Sequence, residues 1–240
     1  MKFNDIIGNQ EAIDRLRRMV DNDKIPHALL LMGDSCIPKL ALAQAFAQYI
    51  HCENRTNGDA CGCCPSCLQH QSYNHVDTYF SYPIFKKSSP NTYCSDYAKE
   101  WKTFLSESQV ENYERWLSII KNENGQPRIY TEESNIIIHK MSMSSYSSRY
   151  KIHIMWLPEK MQPQCANALL KIIEEPYPDS LFILVSNNYQ EVLPTIFSRT
   201  QRIELRKPST DAIARYLEQK YDIDHREALS YAGPADGNIL

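Results

Sequence analysis

Five of the eight cysteines fall between Cys52 and Cys67. Cys52, Cys61, Cys64 and Cys67 are spaced C-x8-C-x2-C-x2-C. Each C-x2-C pair can grip one metal ion from a tight turn. Four thiolates then make a closed tetrahedral zinc site with no open position for catalysis. Gly62 and Pro65 suit such turns. Cys63 could displace Cys61 or Cys64, but the spacing favours leaving it out. The plainer alternative is a set of free thiols. His51, His70 and His75 lie close to the cluster. They could replace a cysteine as ligand; otherwise they read as polar surface residues. Cys36, Cys94 and Cys165 are isolated and read as buried small apolar residues.

A second stretch points to phosphate chemistry. "HALLLMGDSCIPKLALAQAF" runs as apolar strand, short loop, lysine and helix. A working phosphate loop reads G-x-x-x-x-G-K-[ST]. Its backbone N–H groups wrap the phosphates, its lysine reaches the terminal ones and its hydroxyl holds magnesium. Here the register gives Gly33, then Pro38, Lys39 and Leu40. Pro38 removes a backbone donor, and Leu40 cannot ligate a metal. Asp34 adds a negative charge where phosphate would sit. Gly33 and Lys39 remain, and by themselves they equally describe a surface turn with a solvated lysine.

The elements that must position these residues follow from periodicity. "NQEAIDRLRRMVDND" has Ile13, Leu16, Met19 and Val20 at helical spacing, with Asn9 as N-cap. "PKLALAQAFAQYI" is a helix with Leu42, Ala45, Phe46 and Tyr49 on one face. "HALLLMG", "HVDTYF", "KIHIMWL", "SLFILVSNN" and the end of "EVLPTIFSRTQRIEL" read as strands. "QPQCANALLKIIEEP" is a helix stopped by Pro176, and "TEESNIIIHKMS" is helical or mixed. Strands alternating with helices predict an α/β fold, a largely parallel sheet covered on both faces. Residues 86–127 read as an insertion between core elements. Its two amphipathic stretches, Tyr97–Leu105 and Tyr113–Ile120, predict a helical hairpin whose aromatics could form a partner surface, though packing on each other or on the core is favoured. After Lys207-Pro208 the pattern turns helical, giving a core domain over 1–207 and a small helical lid over 208–240.

The chain has 240 residues, 42% hydrophobic and 23% charged, with a formal net charge of -3. This suits a globular protein and argues against a strongly basic nucleic-acid binder, though not against a local basic patch. No apolar run reaches membrane-spanning length, and the N-terminus has no signal-peptide pattern. The expected location is the cytoplasm, where clustered cysteines read as metal ligands rather than disulfides.

"QCANALLKIIEEP", "FILVSNNYQEVLPTIFSRT", "PHALLLMG" and "FNDIIGNQEAIDRL" together resemble the AAA+ clamp-loader family of bacterial DNA polymerase III, in its delta-prime branch. The resemblance covers nearly the whole chain outside the insertion. It implies an AAA+ P-loop-like core with a zinc module at 52–67, a structural zinc and a helical lid. In active members the strand before "ANALLK" ends in an Asp-Glu pair that holds magnesium and polarises water. Those positions here are Trp156 and Leu157, with Glu159 two residues out of register. The resemblance therefore implies a catalytically degenerate ATPase fold with Gly33 and Lys39 as remnants. "SRT" at 198–200 matches a family Ser-Arg-Cys motif, and Arg199 takes the position of an arginine finger acting in trans on a neighbour's ATP site.

The implied role is a non-hydrolysing loader subunit, part of the polymerase holoenzyme only as a complex. The implied partners are the gamma/tau ATPase subunits, the delta subunit and, through the complex, the sliding clamp and primer-template DNA. Two alternatives stand: an active AAA+ ATPase of the same family, and a zinc-module nucleic-acid-binding protein. Residual nucleotide binding stays open because Lys39 survives. The chain ends at "ADGNIL" within a helix-like segment. The family's all-helical collar domain is expected to be absent.

Overall fold

The computed structural model describes residues 1–87, 91–107, 110–121, 125–235 and 237. The first helix, α1 (Gln10–Asp21), leads into β1 (Ala28–Met32) and α2 (Lys39–His51). α3 (Pro65–Gln71) and β2 (Thr78–Ser81) follow. Then come α4 (Ala98–Glu107), α5 (Tyr113–Ile120), α6 (Thr131–Ser142) and β3 (Lys151–Trp156). α7 (Pro163–Glu174), β4 (Ser180–Ser186), α8 (Pro194–Phe197) and β5 (Gln201–Glu204) complete the core. α9 (Thr210–Tyr221) and α10 (His225–Ala235) pack together beyond it.

The five strands form one parallel sheet in the order β2-β3-β4-β1-β5. β3 and β4 are buried along their whole length, as a sheet covered on both faces requires. The first strand sits between β4 and β5, so successive strands leave it in opposite directions. The loop after its carboxyl end opens at that switch point, where α/β sheets place their ligands. Residues 33–38 occupy this position.

Two layers of core flank the sheet. One holds Leu29, Leu31, Phe46, Ile152, Ile154 and Trp156; the other holds Leu30, Phe182, Leu184, Leu169 and Ile173. Helix α2 is not one-faced as its periodicity predicts: all thirteen of its residues are buried. Its side away from the sheet is covered by α1 and α3. Trp101, Phe104, Trp116 and Ile120 all join the main core, so the aromatics pack inward. The Trp116 indole donates to the Pro83 carbonyl at 2.7 Å. Residues 88–90, 108–109 and 122–124 of the expected insertion, and 236 and 238–240 of the expected lid, lie outside the described residues. Thr131–Ser142 is wholly helical.

Asn9 corrects a second expectation. It precedes α1 in a left-handed conformation (φ 56°) and its side chain does not cap the helix. Instead its amide clasps the Arg206 backbone, donating to the carbonyl at 3.0 Å and accepting the N–H at 2.8 Å. Ser209 does cap α9, accepting the Ala212 N–H at 3.2 Å. The two last helices bury Ile213, Ala214, Ala228 and Ala232 against Ile7. No helix among the described residues is long and apolar enough to cross a membrane.

His153 on β3 is buried beside Phe182, and neither ring nitrogen has a hydrogen-bond partner among the described residues. Burial, helped by Lys140, pushes its pKa from 6.5 down to about 3. Below pH 6.5 the unfolded chain takes a proton that the folded chain refuses. Stability is therefore lost as pH falls from 6.5 toward 3. Between pH 7.5 and pH 5 this one group costs about 2 kcal/mol. Urea unfolding at both pH values should show a smaller acid loss for His153→Phe by about that amount. Equal losses would refute the assignment.

Candidate functional site

The loop at 33–38 is folded on itself. Gly33 has φ +153°, and a Cβ there would lie 2.7 Å from the Leu205 carbonyl. Close approach to the chain after β5 therefore accounts for this glycine without a phosphate. The Ile37 N–H donates to the Asp34 carbonyl at 3.2 Å, and the Lys39 N–H donates to the Ile37 carbonyl at 2.8 Å. These donors are spent within the loop. Cys36 and Ile37 are buried.

Lys39 is not the solvated lysine of a surface turn: its side chain is 0% exposed. The ammonium donates to the carbonyls of Asp34 and Ile37 and faces Glu111 Oε1 at 3.3 Å. Glu111 Oε2 accepts the Leu40 N–H at 3.3 Å. One carboxylate from the insertion thus meets both the loop's lysine and the first turn of α2. Pro38, at the N-cap, offers no capping side chain, so Glu111 supplies what the helix start lacks. Burial raises the Glu111 pKa against the opposing pull of Lys39. Sequence reasoning missed Glu111, since nothing local marks a residue 71 positions from its partner.

At the end of β3, Trp156 is 0% exposed and packs against Phe104, Trp101, Tyr113 and Trp116, with centroids 5.1–6.4 Å apart. Leu157 follows in a left-handed conformation and is buried. Glu159 turns to β4, where its Oε1 accepts the N–H groups of Asn187 (3.0 Å) and Asn188 (3.2 Å). Burial raises the pKa of this carboxyl. Aromatic rings close off the end of this strand.

Arg199 lies just past α8 with its side chain 34% exposed. Its guanidinium pairs with Glu174 at the end of α7 and donates to the Thr195 carbonyl at 2.8 Å and to Ser198 Oγ at 3.3 Å. Two neighbouring arginines are otherwise placed. Arg202 stacks on Phe197 at 4.8 Å, and the Arg206 backbone is held by Asn9.

The sulfurs of Cys52, Cys61, Cys64 and Cys67 all lie within 4.8 Å of one another. The Cys61–Cys67 separation is 3.9 Å, against about 3.8 Å between sulfurs of a tetrahedral zinc shell. Backbone N–H groups of Cys61, Cys64 and Cys67 donate to the sulfurs of Cys52, Cys61 and Cys64 at 3.2–3.5 Å, bonds that favour thiolates. N–H donation from Cys63 and Cys64 brings the Cys61 thiol down to about 6. The donor set fits a thiophilic divalent cation. Cys63 points outward and is exposed.

His51, His70 and His75 are not polar surface residues. His51 and His75 are buried, and the rings stack at 4.2 Å (His51–His75) and 4.4 Å (His70–His75). Their partners fix the tautomers. His51 Nε2 donates to the Tyr150 carbonyl at 2.8 Å, leaving Nδ1 to accept from His70 Nε2 at 3.0 Å. His75 Nδ1 accepts the Asp77 N–H at 3.2 Å, so Nε2 donates to Ser66 Oγ at 3.0 Å. The nitrogens of His75 are committed, and the rings form a neutral stack rather than substitutes for a cysteine. Burial brings His51 to about 3 and His70 to about 2.

Against this geometry, comparison with known proteins is specific. The family model described as DNA polymerase III, delta subunit, matches residues 8–209. The chain is 26% identical to DNA polymerase III subunit delta' of Haemophilus influenzae over 205 residues, 85% of this chain and 50% of that protein. It is 24% identical to DNA polymerase III subunit gamma of Buchnera aphidicola over 242 residues, 99% of this chain and 55% of that protein. The chain spans about half the length of the delta' and gamma relatives it matches. Among solved structures, the RuvB Holliday junction branch migration motor of Thermotoga maritima superposes with a TM-score of 0.59 at 10% identity, covering 99% of this chain and 60% of that one. That likeness establishes the AAA+ P-loop type of fold. The chain belongs to the DNA polymerase III delta-subunit family of clamp-loader proteins.

Proposed function

We propose that the chain is a non-hydrolysing, delta-prime-like subunit of a sliding-clamp loader, and that it acts in the cytoplasm in DNA replication. One observation carries the reading. Lys39, which an active loop would offer to a phosphate, is fully buried and paired with Glu111. The reading is supported further by Trp156 and Leu157, which replace a metal ligand and a base with apolar bulk. The fold keeps the shape of a nucleotide-handling domain and drops its chemistry. Gly33 and Lys39 are then remnants of a degenerate P-loop.

What the subunit contributes is position and Arg199. Placed beside the ATP site of a gamma/tau subunit, this guanidinium stabilises charge on the transferring phosphoryl group. Cys52, Cys61, Cys64 and Cys67 hold a structural zinc, whose four thiolates leave no position for substrate. The further partners are the delta subunit and, through the assembly, the clamp and primer-template DNA. With a net charge of -3, any direct DNA contact rests on the backbone and is modest.

Assembly tests this reading. The intact subunit, mixed with gamma and delta subunits, should co-elute in gel filtration and complete a complex that loads the clamp onto primed DNA. Failure to enter any complex with gamma would remove the loader assignment.

A further inference from the structure

We propose that Glu111 is a tethered stand-in for phosphate, and that the Lys39–Leu40 corner beneath it is an oxyanion subsite which the insertion keeps permanently filled. The proposal rests on the non-hydrolysing reading above and names the ligand class of that same site.

α2 is thirteen residues long, and its first turn presents the Leu40 N–H with the positive end of the helix dipole. Lys39 adds a full positive charge that has no access to water. Together these make an anion receptor, and Glu111 sits in it with one oxygen toward each element. A carboxylate is the side-chain group nearest to a phosphate in charge and acceptor geometry. The fit is looser than that of a built ion pair. Oε1 lies 3.3 Å from the ammonium and has no hydrogen bond of its own among the described residues.

The tether explains why the subsite stays shut. Glu111 lies directly before Asn112, which caps α5 through the Arg115 N–H. The hairpin on either side is anchored in the core by Trp101, Phe104 and Trp116. Withdrawing Glu111 would drag these rings into water, so the plug is fixed rather than a gate. The loop is thereby held in one state with its lysine neutralised. A subunit built this way needs no nucleotide to hold its shape.

Removing the carboxylate should reopen the receptor to free anions. Glu111→Ala and Glu111→Gln would be compared with the wild type by calorimetric titration with inorganic phosphate and pyrophosphate. Thermal unfolding would be followed in parallel in phosphate and in chloride at matched ionic strength. Glu111→Ala should bind phosphate at least tenfold more tightly than the wild type and recover part of its lost thermal midpoint in phosphate. The response should vanish in the double variant Lys39→Met/Glu111→Ala. Glu111→Gln, which keeps the side-chain volume, is read in the same way if the alanine variant does not fold.

A folded Glu111 variant with wild-type phosphate affinity would overturn the proposal. So would a phosphate response that survives loss of Lys39. Neither result touches the non-hydrolysing reading, which fails separately if the wild type itself binds and turns over Mg-ATP.

Discussion

Arg199→Ala in the intact subunit should leave the loader assembled but lower its clamp- and DNA-stimulated ATP turnover at least about tenfold. The expectation follows from where the side chain stands. Arg199 follows the short α8 at an exposed edge, where Glu174 and the Thr195 carbonyl hold its guanidinium in one orientation. A delocalised, permanently charged fork is the group that can share charge with an equatorial phosphoryl oxygen. Arg199→Lys keeps the charge but not the fork and should restore little. A merely structural arginine predicts a different pattern: lowered thermal stability or failed assembly, with turnover per assembled complex unchanged. Gel filtration beside steady-state phosphate release separates the two. Unchanged turnover in a normally assembled alanine complex would reduce the subunit to a scaffold.

Metal removal should have the second large effect. The purified chain should carry about one zinc held by four thiolates, and cobalt in its place should show thiolate-to-metal charge-transfer absorption. Stripping the metal with a chelator, or changing Cys67 to Ser, should lower the thermal midpoint by about 10 °C. The module is tied into the core at two places, which is why a surface loop matters so much. Asp59 accepts the N–H groups of Phe3 (3.1 Å) and Asn4 (2.9 Å), fixing the N-terminal segment. Arg55 donates to the Tyr49 and Ile50 carbonyls at the end of α2, satisfying acceptors a helix leaves open. If 52–67 loses its fold, both ties go. A chain that holds no metal, or whose midpoint is indifferent to the chelator, would refute the zinc module. Cys63→Ser should change neither metal content nor midpoint, because its thiol lies outside the cluster.

Much of this architecture is written in short-range pattern. β1, β3 and β4 fall on the apolar runs that predict them, β2 and β5 fall within the stretches read as strands, and α1, α2 and α7 fall on the helical periods. The cysteines find one another because they are close in the chain and spaced for tight turns. The insertion's rings turn inward, as their helical spacing suggests. What stayed hidden depends on pairs with no local signature. Lys39 looks solvated until Glu111 is brought to it, and the full burial of α2 needs α1 and α3 packed around it. The histidine stack joins positions 51, 70 and 75 through backbone partners that periodicity cannot see. Asn9 carries the composition of a helix cap, yet tertiary contact with Arg206 takes its amide. In each case a polar group found its partner in a distant segment, and for Lys39 and the histidines burial made that partner necessary.

The central claim is that the domain keeps the outline of a nucleotide site without its function. The most direct measurement is calorimetric titration of the purified chain with Mg-ATP, with phosphate release followed in the same samples. The account predicts no saturable binding up to about millimolar nucleotide, a free energy near 4 kcal/mol, and no release above background. Saturable binding with turnover that scales with protein concentration would contradict it and make the chain an ATPase in its own right.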